Sequence, residues 1–359
     1  MPLRAHAARQ GLPRSRGLIF AALCLVCTAV AVGYVVLALH RATPTVARSA
    51  AQARSDAEAI AALAGQPHLI FVDSDNGGTA FSRIAVAPLG ALDASDRPRY
   101  LTDLECQRVY FAAGAGLCLR RSNTAGLLAG YSAFTFDAHF QVRQTFEQGG
   151  LPSRVRVSPD GRFGATTVFV AGHSYAEGGF STQTAIVDMA AGTPLADLEQ
   201  LTVWRDVARF QAADFNFWGV TFARDGNRFY ATLGTGGKTY LVEGDLAARE
   251  ARVLREGVEC PSLSPDNARL VFKKRTGSGS TVSWRLYLLD LKTLAETPLA
   301  ETRNVDDQVE WLDNSHILYA LPDEGPPATI ATNIWLLPID GSAPPRLFLR
   351  HALSPVVVR

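Results

Sequence analysis

Several short patterns in this 359-residue chain carry side chains able to do chemistry. Gly172-His173-Ser174-Tyr175-Ala176 has the outline of a nucleophile elbow, whose sharp strand-to-helix turn lifts a serine toward a carbonyl. Here Glu177-Gly178-Gly179 leads into another strand-like run, so the context an esterase needs is missing. Gly236-Gly237-Lys238-Thr239 resembles the end of a phosphate-binding loop. The leading glycine position holds Thr232, and Tyr240-Leu241-Val242 continues as a strand rather than the helix whose N-terminus would hold phosphate, so a hairpin is expected. Asp73-x-Asp75-x-Gly77 has the first ligands of a calcium loop without the later ones and reads as a β-turn. Lys273-Lys274-Arg275 closes an apolar run and reads as a solvated strand end. Cys24 and Cys27 share a C-x-x-C spacing, but their apolar surroundings favour inert thiols.

The elements that would position such residues follow from a repeat. Val155-Arg156-Val157-Ser158-Pro159-Asp160-Gly161-Arg162-Phe163 recurs around Asp225 and Asp266 and, more faintly, around Asp313. Each copy alternates apolar and polar residues, then places Pro, Asp and Gly or Asn where a tight turn wants a fixed φ, a self-bonding side chain and a positive φ. A third strand follows each hairpin (Ala185-Ile186-Val187-Asp188, Tyr240-Leu241-Val242, Leu286-Tyr287-Leu288, Ile334-Trp335-Leu336), and a fourth follows that. Four antiparallel strands per unit make a propeller blade. The turn aspartates are 65, 41 and 47 residues apart, a mean of 51, and the 293 residues from Pro67 to Arg359 divide into about 5.7 such units, so six blades are expected.

Arg108 to Leu119 is expected to be the hairpin of blade two, with Gly114 and Gly116 in its turn. His68-Leu69-Ile70-Phe71-Val72 matches a second strand with no first strand before it, and Leu353 to Val358 looks like a first strand cut off at its turn. The C-terminus is therefore expected to complete blade one and close the ring. The fold class is all-β: a six-bladed propeller of four-stranded antiparallel blades preceded by a single transmembrane helix.

The Ser158-Pro159-Asp160-Gly161-Arg162 turn, echoed by Ser264-Pro265-Asp266, resembles the repeat of TolB-like and WD-type six-bladed propellers over roughly residues 67–359. With the arginine-rich composition it is similar to membrane-anchored TolB-like proteins of high-GC Gram-positive bacteria. The resemblance implies an extracytoplasmic binding propeller without a known reaction and supplies no catalytic residues.

Gly17 to Leu39 is a run of 23 residues without a charge, long enough as a helix to cross about 30 Å of hydrocarbon. His40-Arg41 follows at once, where a cleaved signal would show small residues, so an uncleaved anchor is expected, with secretion after cleavage as the alternative. Arg4, Arg9, Arg14 and Arg16 outnumber the basic residues just behind the run and hold residues 1–16 in the cytoplasm. The chain then reads as a cytoplasmic tail (1–16), a transmembrane helix (17–39), an Ala-rich stalk (40–66) and an extracytoplasmic propeller (67–359). A composition of 47% hydrophobic and 19% charged residues excludes disorder, and 35 basic against 34 acidic groups excludes a nucleic-acid footprint.

Strand parity puts the loops between second and third strands, and those between blades, on one face, opposite the S-P-D-G turns. The longest unit spends its extra length on that face, in the loop 171–182 and the insert 201–217. Long loops with aromatic and charged side chains are the usual place for recognition, so the candidate binding residues are His173, Tyr175, Trp204, Arg205, Asp206, Phe210, Asp214, Asn216 and Trp218. Glu105, Glu259 and Asp307 are expected around the channel mouth on the same face, where a ring of carboxylates could hold a cation such as calcium. With Gly114-Ala115 as the turn, Cys118 lies opposite Phe111, so a Cys106–Cys118 disulfide requires residue 106 to fold back. The favoured function is non-catalytic binding of a protein, peptide or cell-envelope glycan, with no cofactor. The alternative is a calcium-dependent lactone or ester hydrolase with its site at the channel.

Overall fold

The structure, a computed structural model, describes residues 14–41, 48–75, 82–90, 97–122, 130–170, 181–278, 281–323 and 331–359. The chain divides into two compact units, residues 1–47 and 48–359. The first contains helix α1, Arg14–Arg41, whose window Gly17–Tyr34 has a mean hydropathy of 2.3 and no buried residue, long and apolar enough to cross a membrane.

The second unit opens with helix α2, Ala50–Ala62, capped by Ser49, whose hydroxyl accepts the Gln52 N–H at 3.1 Å. The segment read as a stalk contains this helix and belongs, from Arg48 onward, to the propeller unit. Asp56, 4% exposed, meets the Arg48 guanidinium at 2.9 Å and accepts the backbone N–H of Leu101 at 3.3 Å. Leu101 belongs to the outer strand of blade one, so the helix covers a sheet edge that would otherwise be open. Ile60 and Leu63 pack onto the core shared by blades one and two.

The described strands form six sheets, one per blade. Blade one pairs Ala352–Val358, His68–Asp73, Arg83–Pro88 and Tyr100–Glu105, with His68 opposite Val358, so the C-terminal strand closes the ring as expected. The inner strands of blades two to six are Arg108–Ala112, Leu151–Val157, Asn216–Phe222, Glu259–Leu263 and Glu310–Trp311. Period-two alternation gives each sheet two buried faces. Phe229, Ala231 and Leu233 of blade four pack toward Ile186 of blade three, while Tyr230 and Leu241 pack toward Leu270 and Phe272 of blade five.

The repeated turns take the expected form. Gly161, Gly226 and Asn267 have φ of 74°, 68° and 60°, and the Asp160, Asp225, Asp266 and Asp313 carboxylates accept N–H groups of their own turns. Gly236 and Gly237, both at positive φ, form the two-residue hairpin between Thr235 and Lys238. Blade two turns one residue earlier than expected, which shifts its cross-strand pairing by two residues. Its turn is Ala113-Gly114, and Gly116 lies in the strand, where a Cβ would come within 2.1 Å of the Phe136 ring. Cys118 therefore faces Val109, not Phe111. Cys106 sits in the short link between blades one and two, its N–H bonded to Ser82, and forms a disulfide with Cys118 across a Cα separation of 5.8 Å.

The insert expected as loops on one face is largely a strand pair. Thr202–Arg205 and Ala208–Phe210 form a hairpin that lengthens blade four at its outer edge, with Thr202–Arg205 running parallel to Glu250–Glu256.

Candidate binding site: the axial channel

The inner strands carry a second alternation. In blade three Val155 and Val157 enter the hydrophobic core, whereas Arg154 and Arg156, between them, turn toward the axis and meet residues of blade six. The same parity sends Arg108 and Tyr110 of blade two inward, and their partners come from blades three and six. Polar groups on this parity are buried only because strands distant in sequence satisfy them.

At the upper end, where the inner strands begin, Arg108 donates through Nε to the Ser153 carbonyl at 2.7 Å, and burial with the neighbouring Arg154 guanidinium lowers its pKa to about 10. Arg154 donates to the Asp306 carbonyl at 3.1 Å and lies 3.9 Å from the Asp307 carboxylate. Lys273, expected at a solvated strand end, is 4% exposed and ion-paired with Asp306. Burial alone would lower its pKa, yet the charges and hydrogen bonds around it leave it raised. Glu259 accepts the Trp284 indole N–H at 3.1 Å, and burial raises its pKa. Halfway down, the Gln308 amide bridges the carbonyls of Val220 and Pro261 at 3.0 and 2.8 Å. Cys260 is buried beside them, and burial pushes its thiol up.

At the lower end, where the turns lie, a funnel of about 260 Å³ is lined from all six blades. Its floor is a closed triad: Arg156 Nη1 meets Glu310 Oε2 at 2.8 Å, Tyr110 donates its hydroxyl to the same oxygen at 3.1 Å, and Glu310 Oε1 accepts the Val357 N–H at 3.3 Å. Arg156 also donates to the Ser262 hydroxyl at 3.2 Å and stacks 4.5 Å from the Tyr110 ring centre. Burial keeps Glu310 above the usual carboxylate range in spite of these donors, and it raises the Tyr110 phenol as well. Pro159, Arg224, Pro265 and Trp311 contribute to the funnel wall.

The residues selected from sequence do not form one face. His173 and Tyr175, with the elbow-like Ser174, lie outside the described residues, as does Gly77. Trp204 and Asp206 line an open groove of about 490 Å³ on blade four with Glu243, Asp245, Glu250 and Arg252. Arg205 stacks on Phe210 and Tyr240, and Phe210 packs on the blade core. Asp214 accepts from the Thr235 hydroxyl and the Gly236 N–H, and the Asn216 side chain accepts the Thr182 N–H of blade three at 2.9 Å. Trp218 is buried against Gly234. Of the expected carboxylate ring, Glu105 is 62% exposed, 4.0 Å from Arg83, while Glu259 and Asp307 engage Trp284 and, across 3.9 Å, Arg154. Among the described residues no group of three or more His, Cys, Asp or Glu side chains is placed to hold a metal ion.

Tyr110, Arg156, Arg224 and Glu310 were not singled out by sequence reasoning. A signal was available for two of them: Arg156 is a charge between valines on an inner strand, and Arg224 stands where the other clear copies of the turn have Pro159 and Pro265.

No protein-family model matches the sequence, and no curated protein matches it. Among solved structures the fold is similar to TolB from Acinetobacter baumannii, with a TM-score of 0.54 and 13% identity over 81% of this chain and 66% of that one. It is equally similar to a chain of a nidogen/laminin complex, with a TM-score of 0.53 and 11% identity over 82% of this chain and 98% of that one. An oligogalacturonate lyase in complex with manganese aligns at a TM-score of 0.45 and 9% identity over 73% of this chain and 75% of that one. At these identities the likeness defines the fold, a six-bladed propeller.

Proposed function

We propose that the protein is a non-catalytic binding propeller, tethered to the membrane by α1 with its propeller outside the cytoplasm, and that it takes a protein, peptide or cell-envelope ligand at the lower axial funnel. The observation that carries this reading is the convergence of all six blades on one concave site whose floor, Arg156-Glu310-Tyr110, is held rigid by mutual pairing. A floor of fixed donors and acceptors positions a ligand without reorganising. The candidate general acid or base there, Glu310, is committed to Arg156, Tyr110 and Val357, which suits recognition better than proton transfer. The fold shared with TolB and with a nidogen/laminin complex is compatible with a binding role, and the run Gly17–Tyr34 suits a membrane anchor.

The test is site-specific photo-cross-linking of the full chain in intact cells. A cross-linker at Asn267, on the funnel wall, is expected to give a discrete adduct, while one at Val207, 98% exposed on the blade-four hairpin, gives none. Equal labelling at both positions, or none at Asn267, would remove the funnel from consideration.

A further inference from the structure

The lower funnel has a charge imbalance that its own pairing does not remove. Arg156 and Arg224 line it with one side-chain carboxylate, that of Glu310, beside Arg359, whose guanidinium is offset by the terminal carboxylate of the same residue. Glu310 is spent on Arg156, Tyr110 and the Val357 N–H, so it neutralises one cation at most. Arg359 donates to the Leu312 carbonyl, which carries no net charge. Arg224 is exposed and, among the described residues, has no carboxylate within ion-pair distance. Its neighbour Asp225 is turned away, accepting the N–H groups of Asn227 and Arg228 and lying 3.5 Å from the Arg228 guanidinium.

The aspartates of the sister turns are committed in the same way. Asp160 pairs with Arg162 at 2.6 Å, Asp266 with Arg269 at 3.0 Å, and Asp313 faces His316 at 3.0 Å. The surplus therefore stays inside the funnel rather than being cancelled at its rim. Arg224 also departs from the repeat, since the same turn position is Pro159 in blade three and Pro265 in blade five and lines the funnel in all three blades. The turn geometry does not require an arginine, because Pro serves it in the sister copies.

We infer that the funnel binds the oxyanion of its ligand, a carboxylate or phosphate group set against Arg224 with Arg156 and Arg359 around it. The planar guanidinium fork matches either group through paired N–H donors, and a half-enclosed site strengthens each bond relative to open water. Apolar walls from Phe222, Leu263, Trp311 and Val357 would hold the uncharged part of the ligand. This inference rests on the reading of the funnel as the ligand site.

The test titrates the full chain in detergent micelles with glutarate, inorganic phosphate and the uncharged glutaramide, followed by calorimetry. Glutarate or phosphate is expected to bind one to one, the tighter of the two naming the anion class, with glutaramide inert. Arg224→Gln should weaken that binding at least about tenfold with an unchanged melting temperature, as expected for loss of a charge-assisted pair. Arg209→Gln, an exposed guanidinium on the blade-four hairpin, should leave it intact. Equal binding to wild type and Arg224→Gln, equal binding of glutaramide, or no binding of either anion would overturn the inference. If a ligand is captured at Asn267 while the anions fail, the oxyanion falls and the funnel stands; if Asn267 captures nothing, the funnel itself falls.

Discussion

At the upper end of the channel four cations, Arg108, Arg154, Lys273 and Arg275, are interleaved with three carboxylates, Glu259, Asp306 and Asp307. At the lower end Arg156, Arg224 and Arg359 face the Glu310 side chain and the terminal carboxylate of Arg359. The upper cluster spreads its charges around a mouth where Asp306 remains 60% exposed, so water shares in its solvation. The lower cluster buries one complete pair, and among the described residues no carboxylate pairs with Arg224 above it. Interleaved charges at a wet mouth hold blades together, whereas a cation without a carboxylate partner above a sealed pair would be open to a ligand. The difference also sets what each end should cost when altered, because an ion pair is most sensitive to loss of one partner when the other cannot reach water.

The largest effect is expected from Arg156→Leu. It strands the Glu310 carboxylate, whose side chain is 9% exposed, and should destabilise the fold by about 3–5 kcal/mol in denaturant unfolding. A loss below about 1 kcal/mol would show that the lower pair is not sealed and would erase the contrast between the two ends.

Lys273→Met should cost less, roughly 1–2 kcal/mol by the same measurement, because Asp306 can turn into water when its partner is lost. If Lys273→Met proves as damaging as Arg156→Leu, the upper cluster is as enclosed as the lower one.

The smallest effect is in the pH dependence, and its sign differs between the ends. Although burial alone would raise it, the Lys273 ammonium and its hydrogen bond hold Asp306 below the usual carboxylate range. The stability this supplies is present above the unfolded value of about 3.9 and is lost as pH falls through the lower folded value. Glu310 is raised by burial, so its ionisation penalises the fold above its folded value and relaxes as pH falls toward the unfolded value of about 4.3. Melting temperatures from about pH 6 to 2 should therefore fall less for Asp306→Asn than for wild type. An identical decline would mean that the Lys273–Asp306 pair contributes nothing.

The blades were legible because their signals are local. Alternation, the Ser-Pro-Asp-Gly turn and the Gly236-Gly237 hairpin each lie within a dozen residues, and the unpaired strand at Leu353–Val358 announced the closure of blade one. The hairpin 202–210 was hidden because its parallel partner lies more than forty residues away, at Glu250–Glu256. Helix α2 looked like a stalk because its apolar stripe is weak. It is Asp56, meeting Arg48 and the edge of blade one, that docks it.

The sequence by itself determined the number of blades, the strand order within them and a helix long enough to span a membrane, since each depends on periodicity and on runs of residue type. Only the tertiary structure decided which charges meet. Arg156 and Glu310 lie 154 positions apart and join because ring closure brings blades three and six to one axis. Whether a charge is paired depends on that axis, so the lack of a carboxylate partner for Arg224 among the described residues follows from where the partners of its neighbours lie.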